Sequence, residues 1–233
     1  AKEALQFFRD FTSSLPDELT AFGVLVYAPD GSGTPIAAIV VCHCGSLAEG
    51  ETAVRPVKEF GPPAIDVIGP MPYEDVNKMF DEANPKGALN YWKSNFLNEL
   101  SDAAIEAMVD QFNTCPSIMS GIFLEHVHGA ATRVGASDTP FPHRRDGYNF
   151  LVTSVWDERA DSDKNIAWAR ETYGAMRPYM ASGRYVNYLD ADEGEDPAAA
   201  GYGPNYARLR ALKDKYDPTN LFHLNQNIRP VDG

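Results

Sequence analysis

The spacing of apolar residues predicts a chain in which helices are interleaved with hairpin-like strands. Near the start, Leu5, Phe8 and Phe11 recur at the spacing of one helix face. The apolar runs AFGVLVYAP and PIAAIVVCHCG follow, and the turn sequence DGSG between them is typical of a β-hairpin. Two further helices are predicted behind Ser46 and Ser101, because serine commonly caps a helix N-terminus. A short helix is also predicted in YEDVNKMFDEA.

The second half of the chain continues this alternation. Strands are predicted in SGIFLEHVHG and YNFLVTSVWD, and the longest helix in DSDKNIAWARETYGAMRPYM. The stretch YVNYLD, from Tyr185 to Asp190, is predicted as a further strand whose aromatic residues carry polar groups. Helices interleaved with hairpin-like strands are typical of the α+β class, so we predict an antiparallel β-sheet flanked by α-helices.

The strand YNFLVTSVW is mixed on both of its faces. Side chains alternate between the two faces of a strand, which places Asn149, Leu151 and Thr153 together and their neighbours on the other side. A strand wholly inside a core would be apolar on both faces. We therefore predict that this strand borders a cavity, with a partly exposed edge strand as the alternative.

Composition and charge limit the kinds of molecule that this protein is expected to bind. The chain has 33 acidic and 20 basic residues, and a formal net charge of −13 repels nucleic acid phosphates and anionic lipid. No apolar run reaches the length that a bilayer requires. We expect a small-molecule ligand, and neither nucleic acid nor a membrane as a partner.

The cysteines indicate a reduced compartment. Cys42, Cys44 and Cys115 give an odd count without the spacing of a disulfide framework, so a cytoplasmic protein is expected. The first helix has no capping residue ahead of it. We therefore expect that further residues precede Ala1 in the natural protein.

A metal enzyme is one alternative that the motifs leave open. Strand alternation puts Cys42 and Cys44 on one face, and likewise His126 and His128. The signal is weak because a structural site needs about four ligands and no second cluster follows at metal-binding spacing. Buried free cysteine commonly serves as a small apolar core residue, which is the simpler interpretation of Cys42 and Cys44.

Motifs for hydrolysis and for phosphate binding are missing from the sequence. It contains no G-x-S-x-G elbow, no G-x-G-x-x-G and no G-x-x-x-x-G-K-[ST]. Catalysis by a serine nucleophile is therefore disfavoured. Any nucleotide cofactor would have its phosphates held outside this chain.

Several motifs together resemble the C-terminal part of a known enzyme family. They are YVNYLD, the helix YGPNYARLRALK, the run YDPTNLF and NQNI, with FPHR (Phe141 to Arg144) and YWKS (Tyr91 to Ser94) upstream. In this order they resemble the berberine-bridge-enzyme signature of the vanillyl-alcohol-oxidase-like, FAD-linked oxidoreductases. They extend over more than half of the chain and are specific.

The resemblance implies a two-part protein. In this family an N-terminal domain binds FAD, often covalently, and a C-terminal domain lays an antiparallel sheet flanked by helices over the flavin ring. The chain looks like the second part only, with the FAD-binding domain absent. Residues 1–184 would form a substrate-binding cap domain, and residues 185–233 a berberine-bridge-like segment that contacts the FAD domain of the same protein.

The resemblance also implies roles for individual residues. Tyr188 matches the family position that removes a substrate proton, while Asn187, Tyr185 and Asn225 match positions near the cofactor. The remaining matches concern the substrate pocket, where this sequence departs from its relatives; we predict substrate contacts at His126, Asn149, Leu151 and Cys44.

These inferences combine into one predicted function. The chain would be the substrate-binding part of an FAD-dependent oxidase that transfers a hydride from an alcohol or amine-like carbon to flavin, with Tyr188 as the base. Molecular oxygen is the expected final acceptor. A phenol titrates near 10, so this base needs hydrogen-bond donors or positive charge around its anion. The alternatives are a non-catalytic small-molecule-binding module and the metal enzyme described above.

Overall fold

The computed structural model describes residues 1–81, 83, 85–190, 192, 194 and 196–231. Its strands are β1 (Leu19–Tyr27), β2 (Pro35–His43), β3 (Leu89–Leu97), β4 (Gly121–Val127) and β5 (Gly147–Trp156). Its α-helices are α1 (Lys2–Thr12), α2 (Leu47–Glu59), α3 (Tyr73–Val76), α4 (Asp102–Phe112), α5 (Ser162–Met176), α6 (Pro197–Tyr202) and α7 (Tyr206–Tyr216). Among these residues, no helix combines the length and apolar character needed to cross a bilayer.

All five strands form one open antiparallel sheet in the order β2-β1-β4-β5-β3. β4 and β5 lie in its centre, and Glu125 of β4 is directly opposite Asn149 of β5. The predicted α+β class, with an antiparallel sheet flanked by helices, is confirmed.

Helices α1, α4 and α5 cover one face of the sheet because each presents apolar residues at helical spacing. The core between them includes Phe8 of α1, Ile105 of α4 and Trp168 of α5, packed against Leu124 and Phe150 of the central strands. Phe8 and Phe150 are fully buried. Burial of this apolar surface is the main force that holds the sheet to the helices.

The predicted helix starts at Ser46 and Ser101 are confirmed. The Ser46 hydroxyl accepts a hydrogen bond from the backbone of Glu49, whose side chain bonds back to the Ser46 backbone, forming a capping box. Ser101 accepts a bond from the backbone of Ala104. These contacts satisfy backbone donors that the first turn of a helix leaves without partners.

Two predicted elements differ from the structure. YVNYLD is not a strand: its central residues Val186–Tyr188 form a 3₁₀ turn. The helix predicted in YEDVNKMFDEA extends only over Tyr73–Val76, and residue 82 of that stretch lies outside the described residues. In both cases the apolar residues were too few for their spacing to distinguish between a strand, a helix and a turn.

Candidate active site

The sheet face that helices α1, α4 and α5 leave uncovered borders a cavity of about 540 Å³. Glu125 and Asn149 form its floor, and the loop before β5 and the 3₁₀ turn form its walls. The lining residues are Phe96, Glu125, Val127, Thr139, Pro140, Phe141, Arg144, Asn149, Tyr185, Val186, Gly201 and Tyr202. The cavity therefore combines aromatic walls with a polar floor, as small-molecule sites commonly do.

The 3₁₀ turn Val186–Tyr188 and the residue before it hold two tyrosines: Tyr185 lines the cavity, and Tyr188 lies outside the lining but contacts Tyr185 and Glu125, which belong to it. The rings of Tyr185 and Tyr188 meet edge to face with centroids 5.1 Å apart, and Tyr185 meets Phe141 in the same way at 5.7 Å. A strand would have sent Tyr185 and Tyr188 to opposite sides, since they are three residues apart. The turn removes that conflict without a β-bulge.

Glu125 is the centre of a hydrogen-bonded cluster on the cavity floor. The phenol of Tyr188 donates to Glu125 Oε1 at 2.9 Å, and Asn149 Nδ2 donates to Glu125 Oε2 at 2.7 Å. Asn149 is only 2% exposed. Each carboxylate oxygen thus has one fixed donor, which sets the orientation of the side chain.

The electrostatics of this cluster disfavour a tyrosine anion. Burial raises the pKa of Tyr188 well above its usual value, and the negative charge and hydrogen bond of Glu125 raise it further. The sequence led us to expect donors or positive charge around the Tyr188 oxygen. Its hydrogen-bond partner is instead a carboxylate, which favours the neutral phenol over the anion.

The FPHR motif builds one wall of the cavity. Arg144 donates to the carbonyls of Phe141 and Ala131 and to the hydroxyl of Thr139, and its guanidinium lies 4.8 Å from the Phe141 ring centroid. Asn205 fastens the same loop, because its amide donates to the carbonyls of Ala136 and Thr139. The FPHR motif therefore stabilises the loop that forms one wall of the cavity.

The two asparagines predicted to meet the cofactor are both exposed. Asn187 donates to the Tyr185 hydroxyl at 2.8 Å and so orients that phenol. Asn225 has a left-handed backbone, with φ of 57°. Its neighbour Gln226 donates to the carbonyl of Leu189, which ties the tail to the segment that carries Tyr188.

The structure separates His126 from the other predicted pocket residues. Side chains alternate along β4, so His126 points to the helix-covered face while Glu125 points to the cavity. His126 is buried there, stacked on His128 with ring centroids 4.6 Å apart and close to Tyr148 of the core. The prediction that His126 contacts the substrate is therefore corrected: its side chain lies on the face of the sheet opposite the cavity.

Leu151 and Cys44 also lie apart from the lining of the cavity. Leu151 is on the uncovered face but is buried, at 5% exposure, between Ser94 and Phe123 of the neighbouring strands. Cys44 is exposed just beyond the end of β2, an edge strand separated from β4 by β1. Of the four predicted substrate residues, Asn149 is the one that lines the cavity.

The four residues of the metal alternative do not come together. Cys42 and Cys44 lie at the edge strand β2, whereas the imidazoles of His126 and His128 stack beside β1, where His128 Nε2 bonds the Leu19 carbonyl. Across the described ranges, no group of three or more histidine, cysteine, aspartate or glutamate side chains is arranged to hold a metal ion.

Sequence reasoning overlooked Glu125, the residue that organises the cluster. Its signal was a carboxylate inside the otherwise apolar strand SGIFLEHV, on the opposite face from His126. A charged residue within a central strand is rarely buried without a partner, so that position merited attention.

Comparison with known proteins follows from the class of the fold. The class is that of the α+β domains whose antiparallel sheet carries helices on one face. The family profile described as "Berberine and berberine like" matches residues 184–229. This segment contains the 3₁₀ turn with Tyr185 and Tyr188 and the tail that fastens it.

Curated relatives extend the match over nearly the whole chain. An FAD-linked oxidoreductase of Dictyostelium discoideum is 26% identical over 99% of this chain and 50% of its own length. The uncharacterized FAD-linked oxidoreductase YvdP of Bacillus subtilis is 30% identical over 82% of this chain and 44% of its own length. The chain thus spans about half the length of these relatives.

Solved structures share the fold. The berberine-bridge-enzyme-like protein 28 of Arabidopsis thaliana superposes with a TM-score of 0.81 at 20% identity, covering 99% of this chain and 54% of that one. A berberine bridge enzyme variant in complex with (S)-reticuline gives 0.78 at 17% identity, covering 99% and 52%. The chain corresponds to the C-terminal, berberine-bridge-enzyme-like portion of FAD-linked oxidoreductases, which confirms the resemblance drawn from its motifs.

Proposed function

We propose that this chain is the substrate-binding part of an FAD-dependent oxidoreductase of the oxidase type, acting on a small molecule. The reaction would remove a hydride from an alcohol or amine-like carbon and a proton from the attached oxygen or nitrogen. The observation that carries the proposal is the hydrogen-bonded cluster of Tyr188, Glu125 and Asn149, of which Glu125 and Asn149 line an aromatic cavity. The relatives described as FAD-linked oxidoreductases support the redox class.

The residues around the cavity fit a flat heteroaromatic ring. Phe141, Tyr185 and Tyr202 supply aromatic wall, and Asn149 has a buried oxygen that receives no hydrogen bond from the described residues. A bound flavin would supply the hydride acceptor, which no amino-acid side chain can provide. Tyr185, Asn187 and Asn225 are the residues proposed to meet it, while its phosphates would be held by another part of the protein.

The partner proposed for this chain is an FAD-binding domain of the same protein. The tail that follows α7 exposes large apolar side chains: Leu221 is 71%, Phe222 78% and Leu224 82% exposed. Apolar side chains grouped in this way commonly mark a surface that another protein part covers. The curated relatives are about twice as long as this chain, which leaves room for such a domain.

Tyr188 is the residue proposed to contact the reacting group of the substrate. Its hydroxyl donates to Glu125, which lines the cavity, so a substrate bound there would lie beside this hydrogen-bonded pair. Asn149 would bind a donor of the substrate or of the flavin through its unpartnered oxygen, and the buried Leu151 would support the floor. Molecular oxygen is the proposed final electron acceptor.

The proposal is tested by adding an FAD-binding domain. The 233-residue chain, purified alone, should be colourless and inactive, because nothing identified in it holds the FAD phosphates. The same chain joined to the FAD-binding domain of its natural gene product should be yellow, and substrate should bleach the flavin band anaerobically. A joined protein that binds no flavin would contradict the redox function and favour a non-catalytic binding module.

A further inference from the structure

The sheet has an open edge at strand β2. This strand pairs with β1 on one side, and no strand of the described chain lies on its other side. The segment that follows α5 lies along the opposite edge, at β3. There Ala181 donates to the Phe96 carbonyl at 2.7 Å, and Met180 forms a β-bridge with Leu97. A further strand can therefore pair along β2, whereas the edge at β3 is partly covered.

The pairing with β1 determines which backbone groups of β2 are open. Cys44, just beyond the strand, donates to the Glu18 carbonyl, and hydrogen-bonded positions of an antiparallel pair recur at every second residue. The even-numbered residues of β2 therefore bond to β1, and the odd-numbered ones point their N–H and C=O groups outward. The outward N–H groups belong to Ala37, Ile39, Val41 and His43. In the part of the chain that the structure describes, these groups have no hydrogen-bond partner.

Strand β2 lacks the features that usually protect an open edge. Its 9 residues, PIAAIVVCH, include no lysine, arginine, aspartate or glutamate, and the proline is the first residue. The register with β1 runs without a break from Pro35 to His43, so no β-bulge bends the strand away. Monomeric proteins commonly place charges, prolines or bulges on such edges to prevent pairing with another chain. This edge is therefore suited to pairing with a further strand.

We propose that the further strand is β2 of a second copy, so that two copies form a symmetric dimer with one continuous antiparallel sheet. The register is centred on the middle residue, and Ile39 lies opposite Ile39 of the second copy. Ala37 then lies opposite Val41 of the second copy, and both pairs exchange backbone hydrogen bonds in each direction. His43 donates to the Pro35 carbonyl, a contact that does not require the N–H group that proline lacks.

The side chains of β2 suit this self-pairing. Ala37, Ile39 and Val41 already pack partly buried against the core, so their cross-strand pairs extend the apolar layer beneath the helices. On the other face, Ala38 lies opposite Val40 of the second copy. No pair brings like charges together, which matters for two copies that each have a formal net charge of −13.

The symmetry of the contact limits the assembly to two copies. The same strand serves on both sides of a two-fold interface, so pairing consumes the open edge of each copy. The β3 edge does not continue the sheet because the residues after α5 lie against it, and Lys93 of β3 is paired with Asp192. A second copy also supplies the complementary strand without any other protein.

The first test measures the mass of the purified 233-residue chain by light scattering over a dilution series. The wild type should have twice the mass of one chain and dissociate on dilution. Ala37→Pro removes an outward N–H group without removing a bond to β1, and it should have the mass of one chain at concentrations where wild type is dimeric. Ala37→Ser keeps the N–H group and is the matched control, which should remain dimeric.

Two results of this measurement would overturn the proposal. One is a wild-type mass of a single chain throughout the dilution series. The other is a dimer that persists in Ala37→Pro, because the contact would then lie elsewhere on the molecule. Urea unfolding of both Ala37 variants verifies that they are folded.

Disulfide cross-linking tests the register and does not depend on a disrupting variant. Opposite residues at a hydrogen-bonded position have Cα atoms about 5.5 Å apart, which a disulfide can span, so Ile39→Cys should cross-link to its own copy under mild oxidation. Ala37→Cys is the matched control: its two copies would lie about 13 Å apart along the strands and should not cross-link. The double variant Ala37→Cys with Val41→Cys should cross-link again.

The natural cysteines do not interfere with this experiment. In the proposed register Cys42 and Cys44 lie opposite Ile36 and Thr34 of the second copy, so the wild type should remain uncross-linked on a non-reducing gel. Equal cross-linking of Ile39→Cys and Ala37→Cys would show non-specific contact and overturn the paired edge.

Amide hydrogen exchange distinguishes a second copy from another part of the same polypeptide. In the dimer the outward amides of Ile39 and Val41 should be protected, and their protection should fall on dilution. The same measurement is made on the natural gene product. If that protein had the mass of one copy and these amides were protected at every dilution, a preceding part of its own chain would cover the edge, and the dimer would be excluded. The experiment involves neither flavin nor substrate, so its outcome is independent of the proposed function.

Discussion

The two faces of the central sheet are built from alternate residues of the same strands, yet they have different chemistry. On the helix-covered face, Leu124 and Phe150 pack into a continuous apolar core. On the other face, their neighbours Glu125 and Asn149 form a hydrogen-bonded pair at a cavity floor. One face of the sheet therefore supplies the rigidity, and the other presents polar groups on that rigid support.

Rigidity matters because groups that orient a bound substrate tolerate little displacement of their atoms. Glu125 and Asn149 are held at adjacent backbone positions of two central strands, and those strands cannot shift without disturbing the core behind them. Tyr188 comes from a turn instead, and its position depends on contacts with the sheet and with the tail. The site therefore has two parts. Glu125 and Asn149 lie on rigid strands, whereas the position of Tyr188 depends on how the C-terminal segment is held against the sheet.

The largest expected effect tests the supporting face. Phe150→Ala should lower the free energy of unfolding by about 3–5 kcal/mol, because it removes a fully buried ring and leaves a cavity. Phe96→Ala is the matched change on the cavity side, where the ring is half-buried, and should cost about 1–2 kcal/mol. Urea unfolding of both variants measures the difference, and equal losses would erase the contrast between the faces.

The next largest effect is expected on the rate of flavin reduction, with little change in the free energy of unfolding. Tyr188→Phe in the flavin-bearing protein should lower the rate of flavin reduction by about 10²-fold or more, because the substrate proton loses its first acceptor. The unfolding free energy should change by no more than about 1 kcal/mol, the usual value of one hydrogen bond. Stopped-flow reduction and urea unfolding measure the two quantities, and unchanged reduction would remove Tyr188 from the reaction.

The sequence allowed prediction of the supporting face more fully than of the site. Long periodic segments such as α5 and strands such as β5 carry many apolar residues, so their type could be predicted from spacing. The motif resemblance identified the family. YVNYLD was too short for its spacing to distinguish a strand from a turn, and the turn is what lets Tyr185 line the cavity while Tyr188 contacts Glu125.

The electrostatic surroundings of the site residues also could not be predicted from the sequence. Tyr188 and Glu125 are 63 positions apart, and neither residue type alone reveals that one donates to the other. His126 could be assigned to a strand face, but which face met the helices depended on the packing of α1 and α4. Pairing across the fold, unlike local spacing, is decided by tertiary contacts.

A smaller effect is expected from the contacts of Asp192, which help to hold the segment that carries Tyr188 against the sheet. Asp192 accepts hydrogen bonds from Lys93, Tyr91 at 2.5 Å and Arg170 at 2.9 Å, which anchors the residues after Tyr188 to β3 and α5. Burial would raise the pKa of Asp192, but these donors outweigh it and lower the pKa well below its usual value. Asp192→Asn should cost about 1 kcal/mol, since the carboxylate is partly exposed and screened by solvent.

The sign of the accompanying pH dependence follows from linkage. The folded state holds Asp192 ionised more firmly than the unfolded state, whose pKa is about 3.9, so the anchor stabilises the fold above that pH and weakens as pH falls below it. Asp192→Asn should remove part of this acid sensitivity in urea unfolding. If the unfolding free energy of Asp192→Asn fell with decreasing pH as steeply as that of wild type, the hydrogen bonds of Asp192 would not contribute to stability.

The smallest effect distinguishes the two faces by their response to mild acid. Burial lowers the pKa of His126, and the neighbouring His128 lowers it further, while Asp146 opposes both. A lowered folded pKa means that the unfolded state binds the proton more readily, so His126 favours folding above about pH 6.5 and this contribution is lost as pH falls below it. His126→Gln should therefore flatten the dependence of the unfolding free energy on pH below about pH 6.5, measured by urea unfolding. Because His126 lies behind the sheet, the same variant should leave the titration midpoint of Tyr188 unchanged, and a shift of that midpoint would place His126 with the cavity after all.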